Sequence, residues 1–170
     1  MKRGTTIYLY ELAWVLPSVA IPVGMLVAIL VTVFGVHIHT PGIVGRVNPN
    51  QVDSSPPFDH PGLKQVGPGK YEVYMVAQIW SFNPAEIHVP PDSQVTFVIT
   101  SRDVVHGFFI PRTATNTMVL PGQVARITAH FAKAGTFPFL CHEYCGIMHQ
   151  MMAGQIIVGP PDSPPKAGGQ

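Results

Sequence analysis

The sequence predicts an all-β domain, two packed sheets in a Greek-key sandwich, carried on one N-terminal transmembrane helix. Three observations predict it. The run from Leu12 to Ile38 contains no Asp, Glu, Lys or Arg. Beyond it, apolar and polar residues alternate with period two in several short stretches, and proline and glycine turn signals separate those stretches. The 170 residues are 46% hydrophobic but only 11% charged, with a formal net charge of +1. Ten basic and nine acidic residues leave no basic footprint for nucleic acid, and no glycine-rich phosphate loop is present.

The apolar run comes first. At about 1.5 Å per residue its 27 residues reach about 40 Å, more than the roughly 30 Å hydrocarbon core of a bilayer. It exceeds the apolar stretch of about 7 to 15 residues in a cleavable signal peptide, and no small-x-small cleavage pattern follows Val36-His37-Ile38-His39. Residues 1–39 are therefore read as an N-terminal segment and a single uncleaved anchor. Lys2 and Arg3 precede the run and no basic residue follows it before Arg46. That bias places the N-terminus in the cytoplasm and exports the rest from an inner or plasma membrane to the periplasm or cell exterior. Pro17 and Pro22 lie inside the run, where a neighbouring helix can satisfy the freed carbonyls.

Residues 40–70 are rich in proline and glycine and show no strand or helix period, so they read as an extended connector. The domain proper is expected over 71–159, and 160–170 as a disordered tail. Within the domain Val95, Phe97 and Ile99 share one face of a strand; Ala125, Ile127, Ala129 and Phe131 share one face of another. Further strands are expected at Tyr71–Gln78, Val104–Ile110, Thr136–Leu140 and Gln155–Val158. The intervening turns are Pro90-Pro91-Asp92-Ser93, Pro121-Gly122-Gln123 and Lys133-Ala134-Gly135. Short strands of this kind must bury their apolar faces against one another, in a sandwich or a small barrel.

Both cysteines of the chain fall in one loop, Cys141-His142-Glu143-Tyr144-Cys145-Gly146-Ile147-Met148-His149-Gln150-Met151-Met152. Two cysteines in an exported domain can form a disulfide. Here His149 follows Cys145 by four residues and Met152 follows His149 by three, so thiolate, imidazole and thioether converge, and these donors suit copper. A single blue-type copper needs one cysteine, whereas two thiolates can bridge two ions with one histidine for each. His106, in Asp103-Val104-Val105-His106-Gly107-Phe108-Phe109-Ile110, is the candidate for the second histidine. A satisfied core histidine is the other reading of that position.

The stretch DVVHGFFIP and the loop CHEYCGIMHQMM resemble the dinuclear copper (CuA) domain of cytochrome c oxidase subunit II, with its pattern H…C-x-E-x-C-x3-H-x2-M. The resemblance implies a cupredoxin-like sandwich and two copper ions in a mixed-valence centre. Carried over, the copper ligands are His106, Cys141, Glu143 through its backbone carbonyl, Cys145, His149 and Met152. It further implies an electron-transfer role in an oxidoreductase complex. Electrons arrive from cytochrome c or a small copper protein and leave to a haem in subunit I, where dioxygen is reduced and protons are translocated.

Most of that family begins with a two-helix hairpin, but one hydrophobic run is present here, similar to the compact subunit II of the ba3-type oxidases. The segment Tyr10-Glu11-Leu12-Ala13-Trp14 resembles the start of that subunit's helix, making Glu11 a candidate proton-pathway residue. The other reading is an interfacial carboxylate within an aromatic belt of Tyr8, Tyr10 and Trp14. Trp80 and Phe82 resemble the aromatic segment over the copper site, and are the candidates for electron entry; a core-plugging tryptophan is the alternative. The Glu143 side chain is a candidate ligand for magnesium at the interface with subunit I, or a plain interface carboxylate. A copper-free quinol oxidase homologue, a blue copper protein and a disulfide-bonded structural domain leave some of these donors unexplained. The copper subunit of a nitric oxide reductase shares the site and is distinguished only by its catalytic partner.

Overall fold

Apolar residues at every turn, none of them paired with an opposite face of charge, give the first element its character. In the structure, a computed structural model describing residues 3–35 and 42–159, helix α1 runs from Arg3 to Phe34 without interruption by Pro17 or Pro22. At about 1.5 Å per residue its 32 residues extend about 48 Å. The Ser18 and Thr32 hydroxyls, inside its apolar run, are satisfied within the helix: Ser18 Oγ donates to the Val15 carbonyl at 2.8 Å and Thr32 Oγ1 to the Ala28 carbonyl at 2.7 Å. Internal satisfaction is what a hydrocarbon surround demands. His37, His39, the start of the expected connector and the expected tail 160–170 lie outside the described residues.

The chain forms two units, Met1–His39 and Thr40–Gln170. Among the described residues the second unit holds eleven strands: β1 Gly42–Arg46, β2 Gly62–Gly67, β3 Lys70–Gln78, β4 Ser81–Asn83, β5 Glu86–Val89, β6 Ser93–Ser101, β7 His106–Phe109, β8 Asn116–Val119, β9 Gln123–Phe131, β10 Gly135–Leu140 and β11 Ala153–Val158. One sheet has the order β1-β9-β6-β3-β2, with β4 paired to β3; the other has the order β5-β11-β10-β7-β8. The pairs β3/β6 and β5/β11 are parallel and the rest antiparallel. The all-β two-sheet domain expected from the alternation is therefore present.

The core lies between the sheets. Val73, Met75 and Ala77 of β3, Val95, Phe97 and Ile99 of β6 and Ile127, Ala129 and Phe131 of β9 face Phe108, Phe139, Ile156 and Val158 of the other sheet. Arg126, Thr128 and His130 point outward, as the period of two requires. Four rings form its centre: Phe108 lies 5.0 Å from Phe97, 5.3 Å from Phe139 and 5.8 Å from Phe82, centroid to centroid.

The stretch 40–70 differs from the sequence expectation. Its described residues, 42–70, carry β1 and β2, which form the two edges of the first sheet, and a 3-10 helix at Pro49–Ser54, which packs on that sheet's outer face. Val52 and Phe58 are buried there against Val76, Val98 and Val124. Each such burial contributes about 1.5–3 kcal/mol, which holds a segment with little regular structure of its own. The two residues carry the packing singly, so no period marked them.

Candidate metal centre

Local pairing brings the donor residues together. Strand β10 ends at Leu140, opposite Phe109 of β7, so the strand that carries His106 lies beside the start of the loop 141–152. The Cys141 amide donates to the Met152 carbonyl at 3.1 Å and closes the base of that loop where β11 begins. A turn at its far end is made by the His149 amide on Gly146 O (3.1 Å) and the Met151 amide on Met148 O (2.9 Å).

Inside the loop the sulfurs and imidazoles face one another. Cys141 Sγ and Cys145 Sγ are 3.9 Å apart and both thiols are free and buried. A disulfide needs about 2.05 Å, so this geometry is not one. His106 Nδ1 is 3.9 Å from Cys141 Sγ, and His149 Nδ1 is 3.5 Å from Cys145 Sγ, one imidazole against each sulfur. The Met152 thioether is 3.7 Å from Cys145 Sγ, and the Glu143 carbonyl oxygen is 3.2 Å from Cys141 Sγ. His106, Cys141 and Cys145 place their donor atoms within 4.8 Å of one another. All six sequence-predicted donors are thus brought into one cluster, Glu143 through its main chain. With metal–thiolate bonds of about 2.3 Å, one ion can touch both sulfurs at this spacing, so the residues fit a thiolate-bridged metal centre.

The surroundings orient and desolvate this set. His106 is fully buried, and its Nε2–H donates to Asp103 Oδ1 at 2.8 Å, leaving Nδ1 bare toward Cys141. Asp103 also accepts from the amides of Ile79 (2.6 Å) and Val104 (2.7 Å). Burial works to raise its pKa, but the His106, Ile79 and Val104 hydrogen bonds outweigh it and hold the carboxyl below its ordinary value. Burial first, then the neighbouring Cys141 sulfur, push the Cys145 thiol up to about 11. The Gly107 amide points at Cys141 Sγ from 3.5 Å.

Two glycines permit close approach. A Cβ on Gly107 would stand 2.5 Å from the His142 ring, and one on Gly146, whose φ is +125°, would stand 2.9 Å from Trp80 Nε1. Trp80 therefore lies against the loop 141–152, half-buried, with its Nε1 buried and unpartnered. Phe82 is corrected: it is a buried core ring, edge-on to Phe108 and to Phe139 at 5.3 Å, and does not reach the surface, because β4 turns it inward while Trp80 stays in the turn. The Glu143 carboxylate is partly exposed and lies 3.4 Å from His142 Nδ1. Glu11 is exposed on α1. Asp103 is the functional residue that sequence reasoning passed over; a carboxylate three residues before a candidate ligand histidine was its signal.

Residues 76–159 match the family described as cytochrome c oxidase subunit II, periplasmic domain. The chain is similar to a cytochrome c oxidase subunit 2 of Thermus thermophilus, 35% identical over 164 residues, covering 92% of this chain and 96% of that protein. It is 28% identical over 118 residues to the alternative cytochrome c oxidase subunit 2 of Bradyrhizobium diazoefficiens, covering 69% of this chain and 40% of that one. Among solved structures, a chain of a haem-copper terminal oxidase dimer determined by cryo-EM superimposes with a TM-score of 0.73 at 31% identity, covering 88% of this chain and 99% of that chain.

Proposed function

The chain belongs to the cytochrome c oxidase subunit II family, as the electron-transfer subunit of a haem-copper oxidase, and from that premise we propose that its loop 141–152 and His106 hold two copper ions. The observation that carries this is the pair of free thiols 3.9 Å apart, each faced by one imidazole. Copper held by these donors would supply reversible one-electron chemistry.

The chain's own residues supply the rest. Cys141 and Cys145 through their sulfurs, His106 and His149 through Nδ1, Met152 through its thioether and Glu143 through its carbonyl would hold the ions. Asp103 fixes the His106 ring, and the phenylalanine cluster keeps water from the buried side. Trp80, lying on Gly146, is the point of electron entry from cytochrome c or a small copper-protein donor; Phe82 serves the core beneath it. Electrons leave to haem in subunit I, where dioxygen is reduced to water with proton translocation. The helix anchors the subunit in the inner or plasma membrane with its N-terminus cytoplasmic and its β-domain periplasmic, and Glu11 serves a proton pathway shared with subunit I. A magnesium ion at that interface takes the Glu143 carboxylate. Support for these assignments is the donor geometry, the single apolar helix and the family.

Rapid mixing of the oxidised, copper-loaded chain with reduced cytochrome c tests the reading. Single-phase oxidation of the cytochrome in step with bleaching of the copper absorption is expected, slowed by Trp80→Ala. No electron uptake by a fully loaded chain would contradict it.

A further inference from the structure

The proposed copper ligands are covered except at one edge. His106, Cys141, Cys145 and Met152 are buried, whereas His149 is partly exposed. Beside it stand two thioethers that the proposed centre does not use. Met148 and Met151 are 46% and 66% exposed. They stand at the two ends of the turn closed by the Met151 amide on Met148 O, with His149 between them in the chain. Neither joins the core, so burial does not account for an apolar side chain at either position. A thioether is a soft, neutral donor suited to cuprous copper and poorly suited to hard cations.

We propose that Met148 and Met151 form a capture site for a cuprous ion, from which copper passes by His149 to the cysteine pair. The inference rests on the two-copper reading above. From His149 inward the soft donors are in contact: His149 Nδ1 is 3.5 Å from Cys145 Sγ, which is 3.7 Å from Met152 Sδ and 3.9 Å from Cys141 Sγ. In the transfer, copper–thioether bonds break as copper–imidazole and copper–thiolate bonds form. Each thiol that binds gives its proton to water, copper remains cuprous throughout, and no electron moves. The thioethers carry no proton, so they bind copper at the surface without the deprotonation that the buried thiols require.

The test uses the full chain in detergent, reduced and metal-free, with cuprous ion supplied from a bicinchoninate-buffered pool. Met148→Leu with Met151→Leu preserves the exposed apolar area and removes only sulfur, which separates copper capture from a purely apolar contact with a donor protein. The wild type is expected to protect its thiols from a thiol reagent several-fold faster than the double variant, with the same final copper content at the cysteine pair. The Cys141→Ser, Cys145→Ser chain is expected to retain one weakly held cuprous ion, lost when both methionines become leucine. Equal loading rates and no methionine-dependent cuprous ion would overturn the proposal. A wild type whose thiols take no copper would instead refute the two-copper reading, and the serine chain would still decide this one.

Discussion

Asp103 holds the back of the His106 ring: its Oδ1 accepts from Nε2 at 2.8 Å, which turns Nδ1 toward Cys141 Sγ. Its second oxygen accepts the Ile79 amide at 2.6 Å, so one carboxylate braces a proposed copper ligand and the turn next to Trp80. Asp103→Ala strips a buried imidazole of its partner and is expected to weaken copper binding about 10–100-fold, read by competition with a chelator. Asp103→Asn keeps an acceptor and should retain most of that affinity. Equal affinities for wild type and the alanine variant would contradict the bracing role.

Gly146→Ala places a Cβ against Trp80 in a left-handed backbone conformation. The expected loss is about 1–3 kcal/mol in denaturant unfolding. A change in Trp80 fluorescence should accompany it, because the indole must move.

Trp80 and Phe82 are separable although they are two residues apart. Phe82→Ala empties a space between Phe108 and Phe139 and should cost about 3–5 kcal/mol of stability, with little effect on electron uptake by the chains that remain folded. Trp80→Ala should do the reverse, slowing uptake from the donor while moving the unfolding midpoint less. Stability and donor kinetics measured on both variants decide it.

Acid sensitivity has an identifiable contributor on the outer face of the first sheet. The Tyr74 hydroxyl, 2.6 Å from Glu72, and the Arg126 guanidinium hold the Glu72 carboxyl below its ordinary value against the opposing effect of burial. A depressed folded pKa gives stability that is present above the unfolded value of about 4.3 and is lost as pH falls through the lower folded value. Glu72→Gln should therefore be less stable than wild type at neutral pH, with the gap closing below about pH 4. A gap independent of pH would show that charge is not its cause.

Legibility followed periodicity. Strands β6 and β9 were readable because each alternates over its length, and their inward residues are the ones that were expected. Strands β5 and β8 are four residues long, with Ile87 and Val89 or Thr117 and Val119 inward, too short a period to separate from the turns around them. The packing of 49–59 rests on Val52 and Phe58 alone, and no local pattern announces a contact made by single residues with a distant sheet face. The donor loop was legible because its chemistry is concentrated in twelve consecutive residues. Phe82 was misplaced because strand and turn meet there, and one residue of register reverses a side chain. His142 over Gly107 has no sequence signal, since the contact joins two segments 35 residues apart.

The proposed function requires two copper ions at Cys141 and Cys145 that share one unpaired electron. X-band EPR with copper quantification on the oxidised full-length chain tests it most directly. Two coppers per chain and a seven-line hyperfine pattern, from one electron coupled equally to two copper nuclei, are expected. One copper per chain with a four-line pattern would contradict it.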